Sequence, residues 1–528
     1  MTPNIIAQLI ISIYQYYYLI DRTLLYHLCL YNFTIDAGTG EQMTNAEALS
    51  KSVQLARCLR NCNMRPGDVL ALSGTNHILL NMPFNAALFN GYPISAIDPQ
   101  FKYNEIKSLL KITQPKIVFC MPEAYENYSK AVQALDLNTR IVTYGKGDAT
   151  LPSFIKEFDD NQPDSEFKIA EFDLDKVYAY LTCTSGTTGR LKVAAIKHKE
   201  MLYKIMAYIN YSLHKLDVND MYLNLSPVSW TSAYYSAVSI PYANDCQVMT
   251  SRPADVDHVI EMINKYRPKT TTLGPAMVVD LLSRAEEVDL TCFTFIVVAG
   301  SRCNPDLIPK LKSHTKPESL VYNVYGQTET LGIIMTPVLD PPDSCGKQGP
   351  FYELKLVDPD TEVEIKEPNV PGELWCKGIC FSEYYNDPEE TAKCKTSDGW
   401  VKTGDLLYRD ERGCYFYVDR MKHLIKYRNY QVHPSEIEDV IRELPAVHDV
   451  CVVGVDSAAD GQLPTACVVV KDGARVTAQE IKELVASKLS NAKHLRGGVL
   501  FLNEFPLTSS GKIRKNLLTK IAMESKRD

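Results

Sequence analysis

Residues 68–120 read DVLALSGTNHILLNMPFNAALFNGYPISAIDPQFKYNEIKSLLKITQPKIVFC and alternate between two kinds of segment. Asp68–Leu72, Ile94–Ile97 and Ile117–Cys120 are short apolar runs, as expected of buried strands. Between the last two, Asn104–Thr113 places apolar residues at helical spacing. Strands that alternate with helices of about 10–15 residues indicate βαβ units around a parallel sheet. This region therefore predicts an α/β fold.

The pattern repeats and then changes along the rest of the chain. A second α/β region is predicted over Val177–Val338, and short alternating segments between Gly, Pro and Asp turns over Cys345–Tyr417 predict a small β-rich lobe. We therefore expect a large N-terminal domain over residues 29–418, built of two α/β lobes and this β-rich lobe.

A compact tail over residues 419–528 has the size of a separate domain. Strands at Val450–Val455 and Ala466–Val470 and a helix at Ala478–Leu489 predict a small, mobile α+β domain. Ser435 and Glu438 have the spacing of a capping box at the start of a further helix.

Composition excludes several classes of protein. Hydrophobic content of 45% and charged content of 23% over 528 residues are globular values. A net charge of −8 with scattered basic residues argues against nucleic acid as a partner. The 15 cysteines show no paired metal-ligand spacing, so we interpret them as reduced thiols of a cytoplasmic protein. The C-terminal Ser525–Asp528 is not a peroxisomal Ser-Lys-Leu signal.

The N-terminal stretch, residues 1–28, leaves two interpretations open. Ile5–Ile20 carries no charge, yet it is shorter than the roughly 20 residues of a membrane span and lacks a preceding basic region. A helix packed on the body or a poorly ordered stretch is favoured over membrane association.

A phosphate-binding loop is predicted immediately after the apolar strand that ends at Leu181. Small hydroxyl residues alternating with glycine let backbone N–H groups converge on an anion, and a lysine adds a positive charge. The alternative interpretation is a flexible surface loop. The residues of this loop are Thr184, Ser185, Gly186, Thr187, Thr188, Gly189 and Lys192.

Four ordered motifs resemble the acyl-adenylate-forming (AMP-binding) superfamily, and within it the insect luciferase-like and coumarate-CoA-ligase-like branch. The first is the loop just described. The others are Tyr325–Glu329 (YGQTE), Lys402–Asp405 (KTGD) ahead of Asp419-Arg420, and Ser510–Lys512 (SGK). The resemblance covers about Asp36 to Leu518 and implies an ATP-dependent, AMP-forming acyl-CoA ligase, with Mg²⁺ as cofactor and coenzyme A as cosubstrate.

The YGQTE motif has a chemical interpretation at each position. Tyr325 can lay its ring against adenine, and Gly326 lets the backbone approach the nucleotide. Thr328 can donate to the α-phosphate, and Glu329 is an oxygen ligand suited to Mg²⁺. A Gly-Gly-Ala segment that lines the acyl pocket and adenine in the family corresponds here to a segment ending at Ser301.

The remaining motif residues are charged. By resemblance, Asp405 accepts the ribose hydroxyls and Arg420 reaches ribose and phosphates. Lys512 matches the catalytic lysine that holds the carboxylate and α-phosphate together, and its charge would lower their repulsion. Lys422 matches the hinge about which the small domain rotates between the two half-reactions.

Departures from the family keep alternatives open. Leu191 and Val193 replace Pro and Gly in the phosphate loop, and Asn429 replaces a Gly near the thiol tunnel. A catalytically impaired nucleotide- or acyl-binding homologue, or an adenylating enzyme with another acceptor, therefore remains possible. Leu273–Val279 with Ile333 and Ile334 suggests an apolar acyl pocket, which favours a medium- or long-chain fatty acid as the small-molecule partner.

Overall fold

The structure is a computed structural model of the chain, and it describes residues 33–145, 148–185, 191–212, 220–243, 246–428, 430–457, 460–508 and 512–528. The predicted N-terminal stretch, residues 1–28, lies outside these ranges. Among the described residues, no helix is long and apolar enough to cross a membrane.

The helices are numbered in chain order. They are Asn45–Asn61 (α1), Asn81–Asn90 (α2), Tyr103–Thr113 (α3), Tyr125–Ala134 (α4), Leu151–Phe158 (α5), His198–Ser212 (α6), Thr231–Ala243 (α7), Val256–Tyr266 (α8), Pro275–Ser283 (α9), Leu307–Ser313 (α10), Pro388–Cys394 (α11), Pro434–Arg442 (α12), Ala478–Lys488 (α13) and Lys515–Glu524 (α14).

The strands of the N-terminal half are Phe33–Asp36 (β1), Gln42–Thr44 (β2), Leu70–Ser73 (β3), Ile94–Ile97 (β4), Ile117–Cys120 (β5), Arg140–Thr143 (β6), Tyr178–Ser185 (β7), Leu191–Lys197 (β8), Met221–Leu223 (β9), Cys246–Met249 (β10), Thr270–Leu273 (β11), Phe295–Val298 (β12) and Leu320–Asn323 (β13).

Those that follow are Gly326–Gln327 (β14), Gly332–Ile333 (β15), Met335–Thr336 (β16), Gly346–Gln348 (β17), Tyr352–Val357 (β18), Glu364–Ile365 (β19), Gly372–Gly378 (β20), Glu383–Tyr384 (β21), Val401–Arg409 (β22), Cys414–Arg420 (β23), Ile425–Tyr427 (β24), Tyr430–Val432 (β25), Val447–Ser457 (β26), Gly461–Val470 (β27) and Val499–Leu502 (β28).

Two sheets carry the α/β lobes. One has the order β21-β8-β7-β4-β3-β5-β6, with a parallel centre from β7 to β6, and the other has the order β13-β12-β11-β9-β10-β1-β2. Helix α1 illustrates how local sequence starts an element: Thr44 and Glu47 form a reciprocal capping box, with Glu47 N–H donating to Thr44 Oγ1 at 3.2 Å. The helix then buries Leu55, Ala56 and Leu59 against the first sheet.

The β-rich lobe is an antiparallel sheet of order β16-β17-β23-β22-β20-β18-β19. Its core is continuous with that of the first sheet, while the second sheet has a hydrophobic cluster of its own. The following residues form a small sheet of order β25-β24-β27-β26, with β28 parallel to β27, and helices α12–α14 pack against it. The predicted mixed α/β fold, with a large N-terminal and a small C-terminal domain, is confirmed.

Two local predictions are wrong. The strand at Tyr178–Ser185 pairs with β4 and so belongs to the first sheet rather than opening the second region. The Ser435–Glu438 capping box is absent, because α12 begins at Pro434 without a side-chain cap. Ser435 N–H instead donates to Asp419 Oδ2 at 3.3 Å, and Glu438 accepts from Val452 N–H at 2.9 Å.

Candidate active site

One cavity of about 2000 Å³ lies between the large domain and the C-terminal domain. It forms where the loops after β12 and β13 and the strands β22 and β23 face the loop before α14. Among the residues predicted from sequence, those that line it are Thr184, Ser301, Tyr325, Gly326, Thr328, Glu329, Asp405, Arg420, Lys422 and Lys512.

A buried polar cluster centres on Asp405. Strands β22 and β23 pair Asp405 with Arg420, and Arg420 Nε donates to Asp405 Oδ1 at 2.7 Å. The Tyr325 hydroxyl donates to Asp405 Oδ2 at 2.7 Å, and the Tyr325 ring stacks on Tyr417 with centroids 6.2 Å apart. Gln327 joins the cluster by accepting from Arg420 Nη2 at 3.2 Å. Each carboxylate oxygen thus has a donor and retains a further lone pair for a ligand hydroxyl.

The electrostatics of this cluster follow from its burial. Burial raises the pKa of the Asp405 carboxyl above its ordinary value, and the adjacent Arg420 and Tyr325 act in the opposite direction. The ion pair with Arg420 keeps a negative group available in the buried wall of the cavity. Such a carboxylate can accept hydrogen bonds from neutral hydroxyl groups.

Gly326 is required by the protein backbone itself. A Cβ at this position would lie 2.2 Å from the Gly332 carbonyl oxygen, because β14 and β15 form a two-stranded antiparallel pair. The tight pair sets Thr328 and Glu329 at its turn, where both line the cavity. We expected Gly326 to permit close approach of a nucleotide; the close approach in the structure is that of its own neighbouring strand.

Glu329 is oriented by a residue that sequence reasoning missed. The Tyr384 hydroxyl donates to Glu329 Oε1 at 2.7 Å, and Lys192 Nζ lies 5.0 Å from the centroid of the Tyr384 ring. Lys192 also forms an ion pair with Glu390 on α11, and it is not among the residues that line the cavity. In this structure Lys192 therefore supports the wall that holds Glu329.

The rest of the predicted phosphate loop is only partly described. Thr184 and Ser185 end β7, opposite Lys192 and Leu191 of β8, so the segment connects an antiparallel pair of strands. Gly186, Thr187, Thr188 and Gly189 lie outside the described residues, as does Asn429.

Lys512 reaches the cavity from the C-terminal domain. Its side chain is exposed because it projects into the open cleft, where Nζ lies 5.8 Å from the centroid of the Trp230 ring. A Cβ added to Gly300 would lie 3.7 Å from Lys512 Cε, so the lysine extends to the end of β12. Desolvation in the cleft and Arg420 lower the pKa of Lys512, while Asp405 and Glu329 counteract this effect.

Lys422 also faces the cavity. It lies in the single helical turn Met421–His423 directly after β23, and burial together with Arg420 lowers its pKa to about 8. Ser301 follows β12 and lines the cavity opposite Lys512.

A bidentate ion pair links the two domains beside the cavity. Arg302 Nη1 and Nη2 donate to the two carboxylate oxygens of Asp439 at 2.8 and 2.6 Å. No sequence motif contains either residue. The pair links α12 to the loop after β12, the loop that also contains Gly300 and Ser301 of the cavity wall.

Comparison with known proteins agrees with this arrangement of domains. The family model for AMP-binding enzymes matches residues 22–385, and the model for their C-terminal domain matches residues 436–512. The chain belongs to the AMP-binding enzyme family.

Relatives within the AMP-binding family include luciferases and CoA ligases. A luciferin 4-monooxygenase of Photuris pensylvanica is 30% identical over 92% of this chain and 91% of its own length. The peroxisomal OPC-8:0-CoA ligase 1 of Arabidopsis thaliana is 28% identical over 92% of this chain and 90% of its own.

Solved structures show the same AMP-binding fold. ATP-bound MatB from Rhodopseudomonas palustris superposes with a TM-score of 0.82 at 22% identity, over 93% of this chain and 96% of that one. The anthranilate CoA ligase AuaEII, in complex with anthranoyl-AMP, superposes with a TM-score of 0.82 at 19% identity, over 94% of each chain.

The described residues contain no cluster of three or more His, Cys, Asp or Glu side chains able to hold a metal ion alone. Glu329 fits a metal held chiefly by a nucleotide, since Tyr384 engages only Oε1 and the side chain lines the cavity. Mg²⁺ is commonly bound through one or two carboxylates plus substrate phosphates and water.

Proposed function

We propose that the protein is an acyl-CoA ligase that activates a carboxylic acid with ATP and transfers the acyl group to coenzyme A. The observation that carries this proposal is the meeting of two domains in one cavity. Lys512 from the C-terminal domain faces the same space as the Asp405–Arg420 pair and Glu329 of the large domain.

In the first half-reaction, a carboxylate oxygen attacks the α-phosphorus of ATP, an O–P bond forms, and the bond to pyrophosphate breaks. We assign the ribose hydroxyls to Asp405, with Arg420 fixed beside it by the 2.7 Å ion pair. Lys512 lies between the anions and offsets their repulsion, which is the effect that preorganised cations have on charge developing in a transition state. Thr328 donates to the α-phosphate.

Glu329 would hold Mg²⁺, which neutralises phosphate charge when it is bound. The Tyr384 hydroxyl keeps the Glu329 carboxylate turned toward the cavity. Because the pKa of Lys512 is lowered, Lys512 loses its proton at a lower pH than an ordinary lysine when no ligand is bound.

In the second half-reaction, a thiolate attacks the acyl carbon, a C–S bond forms, and AMP leaves. Lys512 shares the cavity with Glu329 and Asp405, so we expect the C-terminal domain to move before a thiol enters. Lys422, in the turn that joins the domains, is the assigned hinge.

We propose a medium- or long-chain fatty acid as the substrate. Leu273, Pro275, Ala276 and Val279 line the cavity, as do Ile333 and Ile334. Met277 and Val278 instead pack into the core of the second sheet.

We also propose a cytoplasmic location, because the fourteen cysteines of the described chain are free thiols.

Pyrophosphate release across a panel of acids, with and without coenzyme A, tests the proposal. We expect acid-dependent release in both cases and an acyl-CoA product only with coenzyme A. Acyl-AMP that accumulates without forming thioester would indicate a different acceptor. No release with any acid would indicate an impaired homologue that only binds nucleotide or acid.

A further inference from the structure

A lysine is buried in the wall of the acyl portion of the cavity, which is defined here by Tyr235, Leu273, Ala276, Ile333 and Ile334. Lys204, on α6, is 7% exposed, and it lines the cavity. Its position is unusual because lysine is almost never fully buried without a partner.

Two neutral oxygens accept hydrogen bonds from the Lys204 ammonium. Nζ donates to the Tyr352 hydroxyl at 2.7 Å and to the carbonyl oxygen of Ile333. Both acceptors belong to residues that also line the cavity. An ammonium has three N–H donors, so this pair of acceptors leaves one donor for a further partner.

The surroundings of Lys204 do not neutralise its charge. Among the described residues, no carboxylate forms an ion pair with it. Burial lowers the pKa of Lys204 to about 7, and the groups that act in the opposite direction are the thiols of Cys376 and Cys380. A buried, incompletely bonded cation is costly unless a ligand supplies an acceptor.

The neighbouring wall is also more polar than its sequence suggested. Residues with hydroxyl groups on β11 and nearby segments are also among those that line the cavity: Tyr222, Ser232, Ser236, Thr270, Thr271 and Thr272. Some of these hydroxyls already have partners in the protein, as Thr271 Oγ1 donates to the Leu223 carbonyl oxygen. The acyl portion therefore combines apolar side chains with hydrogen-bonding groups, a combination that fixes the orientation of a ligand.

We infer that Lys204 is a specificity-determining residue, and that the preferred acid carries an oxygen acceptor along its chain, in addition to the carboxylate that is activated. This inference rests on the proposed function and narrows its substrate class. The acceptor can be a hydroxyl, a carbonyl or a second carboxylate, and its oxygen completes the hydrogen bonding of Lys204 between Tyr352 and Ile333.

The test compares matched acids of six, eight and ten carbons that end in a methyl, a hydroxyl or a carboxylate group. At the chain length that reaches Lys204, we expect kcat/KM for an oxygen-ended acid to exceed that of the methyl-ended acid by about tenfold or more. Comparison of the hydroxyl-ended acids with the carboxylate-ended acids shows whether Lys204 prefers a neutral or an anionic acceptor. A preference for the methyl-ended acid at every length would overturn the inference.

Lys204→Met keeps an unbranched side chain, shorter by the terminal amine, and removes its donors. We expect the ratio of kcat/KM for oxygen-ended acids to kcat/KM for methyl-ended acids to fall to about one in this variant. Lys130→Met, at an exposed lysine on α4, is the matched control and should retain the wild-type preference. An unchanged preference in Lys204→Met would contradict the inference.

Calorimetric titration of the same acids into the wild-type protein separates this inference from the proposed function. If no acid releases pyrophosphate, the proposed function fails, but the ratio of dissociation constants for oxygen-ended and methyl-ended acids still decides the role of Lys204. If Lys204→Met does not fold, as judged by its melting curve, the wild-type ratios across chain lengths decide it alone.

Discussion

At the end of the cavity proposed to bind the nucleotide, Arg420 and Asp405 form an ion pair at 2.7 Å, whereas Lys204, at the end proposed to bind the acyl group, contacts only neutral acceptors within the described chain. Asp405 thus already has a counter-charge from the protein, whereas Lys204 has none among the residues that the structure describes. The acyl end keeps an unsatisfied donor, so its chemistry depends on the acid it receives. We therefore propose that the protein itself supplies the partners of the ribose-binding carboxylate, while the missing partner of Lys204 comes from the substrate.

Among the variants considered, replacement of Lys512 should change the reaction rate most. Lys512→Ala should slow adenylation by about 10²- to 10³-fold, because it removes a cation from charge that develops in the transition state. Acid-dependent pyrophosphate release measures the loss. Lys520→Ala, at an exposed lysine on α14, is the control and should leave the rate unchanged.

The same variant tests whether Lys512 acts in the first half-reaction alone. Thioester formation from supplied acyl-adenylate should stay within about threefold of wild type, because Lys512 acts in the first step. Equal losses in both half-reactions would refute the assigned role.

Asp405→Asn should lower kcat/KM for ATP by about 10- to 100-fold, because an amide cannot serve Arg420, Tyr325 and a ribose together. It should also lower the free energy of unfolding by about 2 kcal/mol, since Arg420 loses its counter-charge in a mostly buried cluster. Denaturant unfolding and initial rates measure the two effects.

Asp340→Asn is the control: it breaks the exposed pair with Arg412 and should change the free energy of unfolding by at most about 0.5 kcal/mol. Similar stability losses in the two variants would mean that burial of the Asp405 pair is unimportant.

Gly326→Ala should destabilise the protein by about 2–3 kcal/mol, because its Cβ would meet the Gly332 carbonyl oxygen at 2.2 Å. The unfolding midpoint is the measurement. Gly274→Ser is the control: nothing lies within 4 Å of its Cβ, and serine suits the start of α9. A fully stable Gly326→Ala protein that had lost affinity for ATP would show that this glycine serves the nucleotide rather than the strand pair.

Arg302→Met should have the smallest effect on the adenylation rate. Loss of the bidentate pair with Asp439 should slow adenylation about threefold while thioester formation is unchanged or faster, because the pair favours the domain arrangement seen here. Separate assays of the two half-reactions measure their ratio. Arg267→Met, which breaks an ion pair within the large domain, should leave that ratio unchanged. An unchanged ratio in Arg302→Met would show that the pair does not bias the domain arrangement.

Short motifs singled out the residues of the Asp405–Arg420 cluster, whereas no motif contains Lys204. Asp405, Arg420 and Tyr325 belong to short motifs whose residue types are tied to one chemistry, and the structure brings them into one cluster. The sheets and most helices were predictable because apolar periodicity is a local signal.

What the sequence could not predict depends on contacts between distant residues. Lys204 and Tyr352 are separated by 148 positions, and Arg302 and Asp439 by 137. Each partner looks like an ordinary surface or core residue until the fold brings it to the other. The failed capping box has the same origin, because tertiary contacts engage Ser435 and Glu438 after Pro434 has started the helix.

Acid-dependent exchange of labelled pyrophosphate into ATP, without coenzyme A, tests the central claim most directly, because it reports the first half-reaction and its reversal alone. We predict exchange that requires an acid and Mg²⁺ and that Lys512→Ala slows by about 10²- to 10³-fold. Protein that binds ATP but shows no exchange with any acid of the panel would contradict the account.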